Sequence, residues 1–82
     1  MKSTSVIKGL RGKRILSQKN VADMLGITRQ TYNSLENDLL NNDFLLVFKL
    51  LEVLKLNTLE VNEFFDALKQ DYLSYGVEEN KE

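Results

Sequence analysis

The chain has 82 residues and contains no cysteine, histidine or proline, which excludes disulfides, thiolate metal sites, the usual general base and more than one domain. Its formal net charge of −1 speaks by itself against a nucleic-acid partner. The distribution speaks for one: seven basic residues stand against two acidic ones through Asn37, and four against ten from Asp38 onward, a basic half followed by an acidic half.

Apolar residues recur at spacings of three and four, and strand signals are weak, so five helices are expected. The first covers Ser5 to Lys13, with Ile7 and Leu10 inward and Val6 beside them. The second opens at Ser17, a good N-cap, and runs through Val21, Ala22 and Leu25. It stops at Gly26, the residue best able to take a left-handed cap. Thr28 caps a third helix reaching Glu36, with Tyr32 and Leu35 inward. Asn37 and Asp38 begin a polar-flanked loop. Asp43 then caps a fourth helix from Phe44 to Leu56, with Phe44, Val47, Leu50, Leu51 and Leu54 inward. Thr58 or Asn62 caps a fifth. There Val61, Phe64, Phe65, Leu68, Tyr72 and Tyr75 form one stripe at helical spacing. Gly76 ends that helix. One domain is therefore expected over residues 1–76, with a disordered acidic tail at 77–82.

The informative stretch is Ser17 to Asn37. Two short helices meet at a tight turn, Gly26-Ile27-Thr28, where glycine reverses the chain without a Cβ clash. Ala22, one turn earlier, is small enough for the helices to approach closely. Val21, Leu25, Tyr32 and Leu35 clamp the pair onto the core. Arg29, Gln30, Asn33 and Ser34 are left outward on the third helix, a short polar face of the kind that reads base edges in a major groove.

The sequence resembles the lambda-repressor-like, Cro-type (XRE) helix-turn-helix family. The resemblance rests on Ser17-Gln18, Val21-Ala22, Leu25-Gly26-Ile27, Thr28-Arg29-Gln30-Thr31 and Leu35-Glu36-Asn37, and extends in less detail from Ile7 to Phe65. It implies an all-α, compact five-helix domain with an extended C-terminal helix and its helix-turn-helix at about 17–37. It implies base contacts from Thr28, Arg29, Gln30, Asn33 and Ser34, with Arg29 suited to guanine and Gln30 to adenine. Phosphate contacts would fall to Ser17, Gln18, Lys19, Asn37 and Arg14, with Lys13 as the alternative to Arg14. Gln18 would also brace the third helix. Arg11 and Glu36 match a family pair, which implies a partly buried structural ion pair.

Three departures stand out. Tyr32 replaces an aliphatic residue, so its hydroxyl needs a partner or a path to solvent. Ile15 stands where glycine is common. Leu39 and Leu40 replace Gly-Lys, which removes a phosphate contact and exposes two leucines. The fourth and fifth helices carry more apolar residues than a domain of this size needs, and such surfaces mark interfaces. A homodimer is expected, through Leu39, Leu40, Leu45, Tyr72 and Tyr75. Folding of the fifth helix back over the fourth is the alternative.

The expected function is sequence-specific regulation of transcription, as a repressor of phage or mobile-element type bound to a palindrome in double-stranded DNA. An antitoxin, or a protein-interaction module on the same fold with its partner on the last two helices, is the alternative. No nucleophile, base or metal set marks an enzyme, and no cofactor, metal or small-molecule ligand is expected. No apolar run approaches the roughly 20 residues that span a bilayer, and no signal-type stretch opens the chain. The expected location is cytoplasmic, at the nucleoid.

Overall fold

In the computed structural model, the backbone is described for residues 1–80 and the side chains for residues 1–75. The elements are α1 (Lys2–Lys13), α2 (Gln18–Leu25), α3 (Arg29–Asn37), α4 (Phe44–Val53) and α5 (Thr58–Asn80). All are helices, as expected, and the described residues contain no strand. α1 lies against α5 and α3, and α2 against α3 and α4. Ile7, Val21, Ala22, Tyr32, Leu35, Val47, Leu50, Leu51, Leu54 and Phe64 meet with Leu39 in one buried cluster. Every helix thus contributes to the core, which compensates for how little any one short helix buries alone.

Three of the helices end in the same way. The N–H of Ile15 reaches Gly12 O and that of Leu16 reaches Arg11 O, closing α1. Gly26 and Ile27 close α2 on Asp23 and Ala22, and Lys55 and Leu56 close α4 on Glu52 and Leu51. These are Schellman closures, which require a left-handed residue within two positions of the helix end. Ile15, Gly26 and Lys55 hold φ of 55°, 74° and 53°. Leu16, Ile27 and Leu56, which follow them, pack against the core. Only one of the three stops is a glycine, so only that one announces itself in the sequence.

Several boundaries and faces differ from expectation. α1 begins at Lys2, three residues early, because Asp71 of α5 supplies its N-terminal cap. The carboxylate accepts from the backbone N–H groups of Lys2 and Ser3 at 2.8 and 3.0 Å, and from the Ser3 hydroxyl at 2.5 Å. α4 ends at Val53 because Lys55 turns left-handed. α5 is capped by Asn57, not by Thr58 or Asn62: its Oδ1 accepts from the Glu60 N–H, and Glu60 Oε1 accepts from the Asn57 N–H. This is a reciprocal capping box.

Phe44 is not inward. It is 70% exposed and stacks on Phe48, with ring centroids 6.4 Å apart. The buried line of α5 is Glu60, Phe64, Ala67 and Asp71, while Phe65, Tyr72 and Tyr75 face outward. Hydropathy misplaces this line because two of its four members are acids whose partners lie on other segments. The helical assignment continues past Gly76 to Asn80. The tail expected at 77–82 falls outside the residues whose side chains are described.

Candidate nucleic-acid interface

α2, the turn and α3 are set by local chemistry. Ser17 Oγ accepts from the Asn20 N–H and the Ser17 N–H donates to Asn20 Oδ1, both at 3.0 Å. This capping box uses asparagine at its third position, where glutamate or glutamine is the usual signal. Gly26 supplies the left-handed stop. Thr28 then caps α3 by accepting from the Thr31 N–H at 3.1 Å, and its hydroxyl donates to Thr31 Oγ1 at 2.9 Å.

Beneath α3 sits the Glu36 carboxylate, with its side chain fully buried. Arg11 Nε donates to Oε2 at 2.9 Å and Arg11 Nη2 to Oε1 at 3.2 Å. The Tyr32 hydroxyl donates to Oε2 at 2.5 Å, and Gln18 Nε2 to Oε1 at 3.0 Å. Arg11 Nη1 goes on to Leu16 O at 3.0 Å. Burial acts to raise the Glu36 carboxyl, but the donors from Arg11, Tyr32 and Gln18 outweigh it and hold the group below the usual range. The Arg11 guanidinium is raised, first by its hydrogen bond to Glu36. The Tyr32 phenol is pushed well above its ordinary value, first by burial and then by Glu36. The hub ties α1, α2 and α3 into one unit. It also supplies the partner that the tyrosine hydroxyl requires, one helical turn away.

The candidate base-reading residues Thr28, Arg29, Gln30, Asn33 and Ser34 are all exposed on or beside α3. The Thr28 hydroxyl is engaged in its cap, whereas Arg29 and Gln30 have no side-chain bond among the described residues. Among the described residues, Arg11 and Arg14 have carboxylate partners and Arg29 has none. Asn33 Oδ1 accepts from Gln18 Nε2 at 3.0 Å. The amide hydrogens of Gln18 are therefore both used within the protein, and its backbone N–H at the start of α2 is what remains for an anion. Ser17, Lys19 and Asn37 are exposed around the same edge, with Lys19 Nζ 3.2 Å from Asp23 on its own helix.

Arg14 departs from its expected place at a phosphate. Its Nε donates to Leu54 O. Nη1 reaches Leu10 O at 3.1 Å and Glu60 Oε2 at 3.3 Å, and Nη2 reaches Lys55 O at 3.3 Å and Glu60 Oε1 at 2.6 Å. All five guanidinium hydrogens are thus engaged, joining α1 to the end of α4 and the start of α5. The Arg14 hydrogen bond, then the Asn57 N–H, lower the Glu60 carboxyl to about 2. Lys13, the alternative, lies with Nζ 3.7 Å from Glu60 and stays largely exposed.

The expected partner surface divides. Leu39 is 2% exposed and belongs to the core, because the loop after α3 turns it under the bundle. Leu40 is half-buried, and Leu45, Tyr72 and Tyr75 are exposed. More aromatics join them outside: Phe44 and Phe65, expected inward, form a ladder with Phe48 across α4 and α5, with Phe48 and Phe65 centroids 6.5 Å apart. Among the described residues no group of acids suits a metal ion, and no helix is long and apolar enough to cross a membrane.

The model of a protein family described as "Helix-turn-helix" matches residues 7–61, two-thirds of the chain. No curated protein and no solved structure matches it.

Proposed function

The chain belongs to the helix-turn-helix family, of the XRE, lambda-repressor-like type, and on that premise we propose that it regulates transcription by reading a specific DNA sequence with α3. The observation that carries this reading is the pairing of a free face with a rigid base. Arg29 and Gln30 stand exposed in the first turn of α3, with no side-chain bond among the described residues, while the same helix is fixed from below by the four donors on Glu36. A reading helix needs both: side chains free to meet base edges, and a backbone that does not shift when they do.

The finer reading is a repressor of phage or mobile-element type that binds a palindrome as a homodimer. Two copies of α3 would then lie in successive major grooves, about 34–36 Å apart. The exposed Phe44, Leu45, Phe48, Phe65 and Tyr72 support an association surface on α4 and α5. The same surface favours a second reading, an antitoxin that binds DNA and caps a toxin there. Toxicity of the adjacent reading frame when expressed alone separates the two.

The test is selection of bound sequences from a random duplex library, beside an Arg29→Ala, Gln30→Ala double mutant. A palindromic consensus that relaxes in the mutant supports the proposal. Absence of any enrichment for the native chain at modest salt overturns it.

A further inference from the structure

α5 carries two lines of side chains, each stepping alternately by four and three residues. The inward line is Glu60, Phe64, Ala67 and Asp71, all buried. The outward line is Val61, Phe65, Leu68, Tyr72 and Tyr75, and its first four members each follow a member of the inward line by one residue. One residue is a rotation of about 100° around the helix, so the two lines occupy different sides of α5. α1 lies along this helix and is joined to the inward line through Asp71. The outward line has no such cover. Phe65, Tyr72 and Tyr75 are exposed, with Val61 and Leu68 half-buried. Phe48 of α4 stands beside Phe65, and Phe44 beside Phe48. A helix that is apolar on a second side calls for a second neighbour.

We propose, on the homodimer reading above, that the outward line of α5 packs two-fold against the same line of a second copy of the chain, with Phe44 and Phe48 at its edge. The alternation of four and three is the seam by which one helix receives another that bears the same seam, and a second copy brings it. Area agrees. At about 150–250 Å² per side chain, the exposed parts of Phe44, Phe48, Phe65, Tyr72 and Tyr75 amount to about 500 Å². A two-fold contact uses the same patch on both copies, which makes about 1,000 Å², the size at which an interface becomes specific. Charge agrees as well. Asn62 and Lys69 stand beside the line, whereas Glu63 and Asp66 fall on the far side of α5 by the same rotation. Two copies therefore meet here without opposing their acidic residues.

Sedimentation equilibrium of the full chain tests the contact, alone and on the duplex that the chain selects, with thermal melts to establish that each variant is folded. The native chain is expected to be dimeric. Tyr72→Ser and Phe65→Ser are each expected to weaken self-association on the order of tenfold, as truncating a central aromatic does. Leu59 is 79% exposed but lies on the opposite side of α5 from the line, so Leu59→Ser leaves the association constant unchanged. A native chain that stays monomeric both alone and on DNA overturns the inference, and its aromatic face then belongs to an unlike protein. A dimer that Tyr72→Ser weakens no more than Leu59→Ser does also overturns it. The selection of bound duplexes judges the DNA reading separately. A monomer that enriches a sequence loses this contact and keeps DNA recognition, whereas a dimer sensitive to Tyr72→Ser that enriches none keeps the contact and loses DNA recognition.

Discussion

Ser3 and Asp71 are 68 residues apart in the chain, yet the carboxylate of Asp71 accepts both the hydroxyl and the backbone N–H of Ser3. The last helix thereby caps the first, in place of Met1, which makes no side-chain cap. Burial works against the charge on Asp71, but the Ser3 hydroxyl and the N–H groups of Ser3 and Lys2 outweigh it and lower the carboxyl. Asp71→Ala would leave these donors without a partner and is expected to destabilise the fold by about 2 kcal/mol. That corresponds to roughly 8–16 °C in melting temperature for a domain of this size. Ser3→Ala should cost about half as much. A double-mutant cycle read by thermal unfolding checks the pair, and additive effects would show that the two residues do not interact.

Two of the three left-handed helix stops make opposite predictions for similar geometry. Ile15 is β-branched, 90% exposed and at φ 55°, so Ile15→Gly loses almost no packing and relieves about 1–2 kcal/mol of backbone strain. Set against the entropy of glycine, the expected gain is about 0.5–1 kcal/mol. Gly26→Ala should instead lose about 1–2 kcal/mol. An added Cβ there meets nothing within 4 Å, so that loss is all backbone. Urea midpoints of both variants test this, and a stabilising Gly26→Ala would contradict it.

Breaking the buried pair should be severe. The Glu36 side chain is fully buried and Arg11 is mostly so. Arg11→Ala strands a carboxylate, with an expected loss of about 3–5 kcal/mol, a large share of the total stability of a small domain. Tyr32→Phe removes one donor of four and should cost about 1–2 kcal/mol. Denaturant titration by circular dichroism reads both.

Acid should unfold the protein through three carboxylates. Glu36, Glu60 and Asp71 all sit below their ordinary values when folded. The unfolded chain therefore binds protons first, and the stability these groups add is present above the ordinary values of 4.5 and 3.8. It is lost as pH falls from there toward about 2, where folded Glu60 titrates. The urea midpoint should hold between pH 7 and 5, by roughly the spread of carboxylate values, and then fall. Glu60→Gln and Asp71→Asn should each make the fall shallower. A midpoint that rises on acidification would refute the assignment.

Arg14 and Lys19 should separate on DNA. Arg14 is wholly engaged inside the fold, so Arg14→Gln lowers the melting temperature but leaves the slope of log K against log salt unchanged. Lys19→Gln should leave the melt alone and reduce that slope by about 1, the signature of one lost phosphate contact. Titrations at four salt concentrations decide it.

Leucines close in sequence should behave differently. Leu39→Ala empties a core position and is expected to cost about 2–5 kcal/mol. Leu45→Ala lies on an exposed face and should stay within about 0.5 kcal/mol. Under the dimer reading, Phe44→Ser with Phe48→Ser shifts the sedimentation coefficient toward the monomer without lowering monomer stability.

The sequence by itself determined the five helices, the turn at Gly26 and the exposed Arg29 and Gln30, because the signals for these are local. Ser17 and Thr28 each cap within three residues of themselves, and a glycine with φ 74° needs no distant neighbour to be favourable. Helical periodicity located most of the core for the same reason. Tertiary structure decided where charges and surplus apolar groups went. Asp71 meets Ser3, Arg14 meets Glu60 from 46 residues away, Leu39 turns inward and Phe44 outward. Hydropathy places an acid at the surface and a phenylalanine in the core. That rule fails when a buried carboxylate finds its donors on another helix, and when the core is already filled before the last aromatic reaches it.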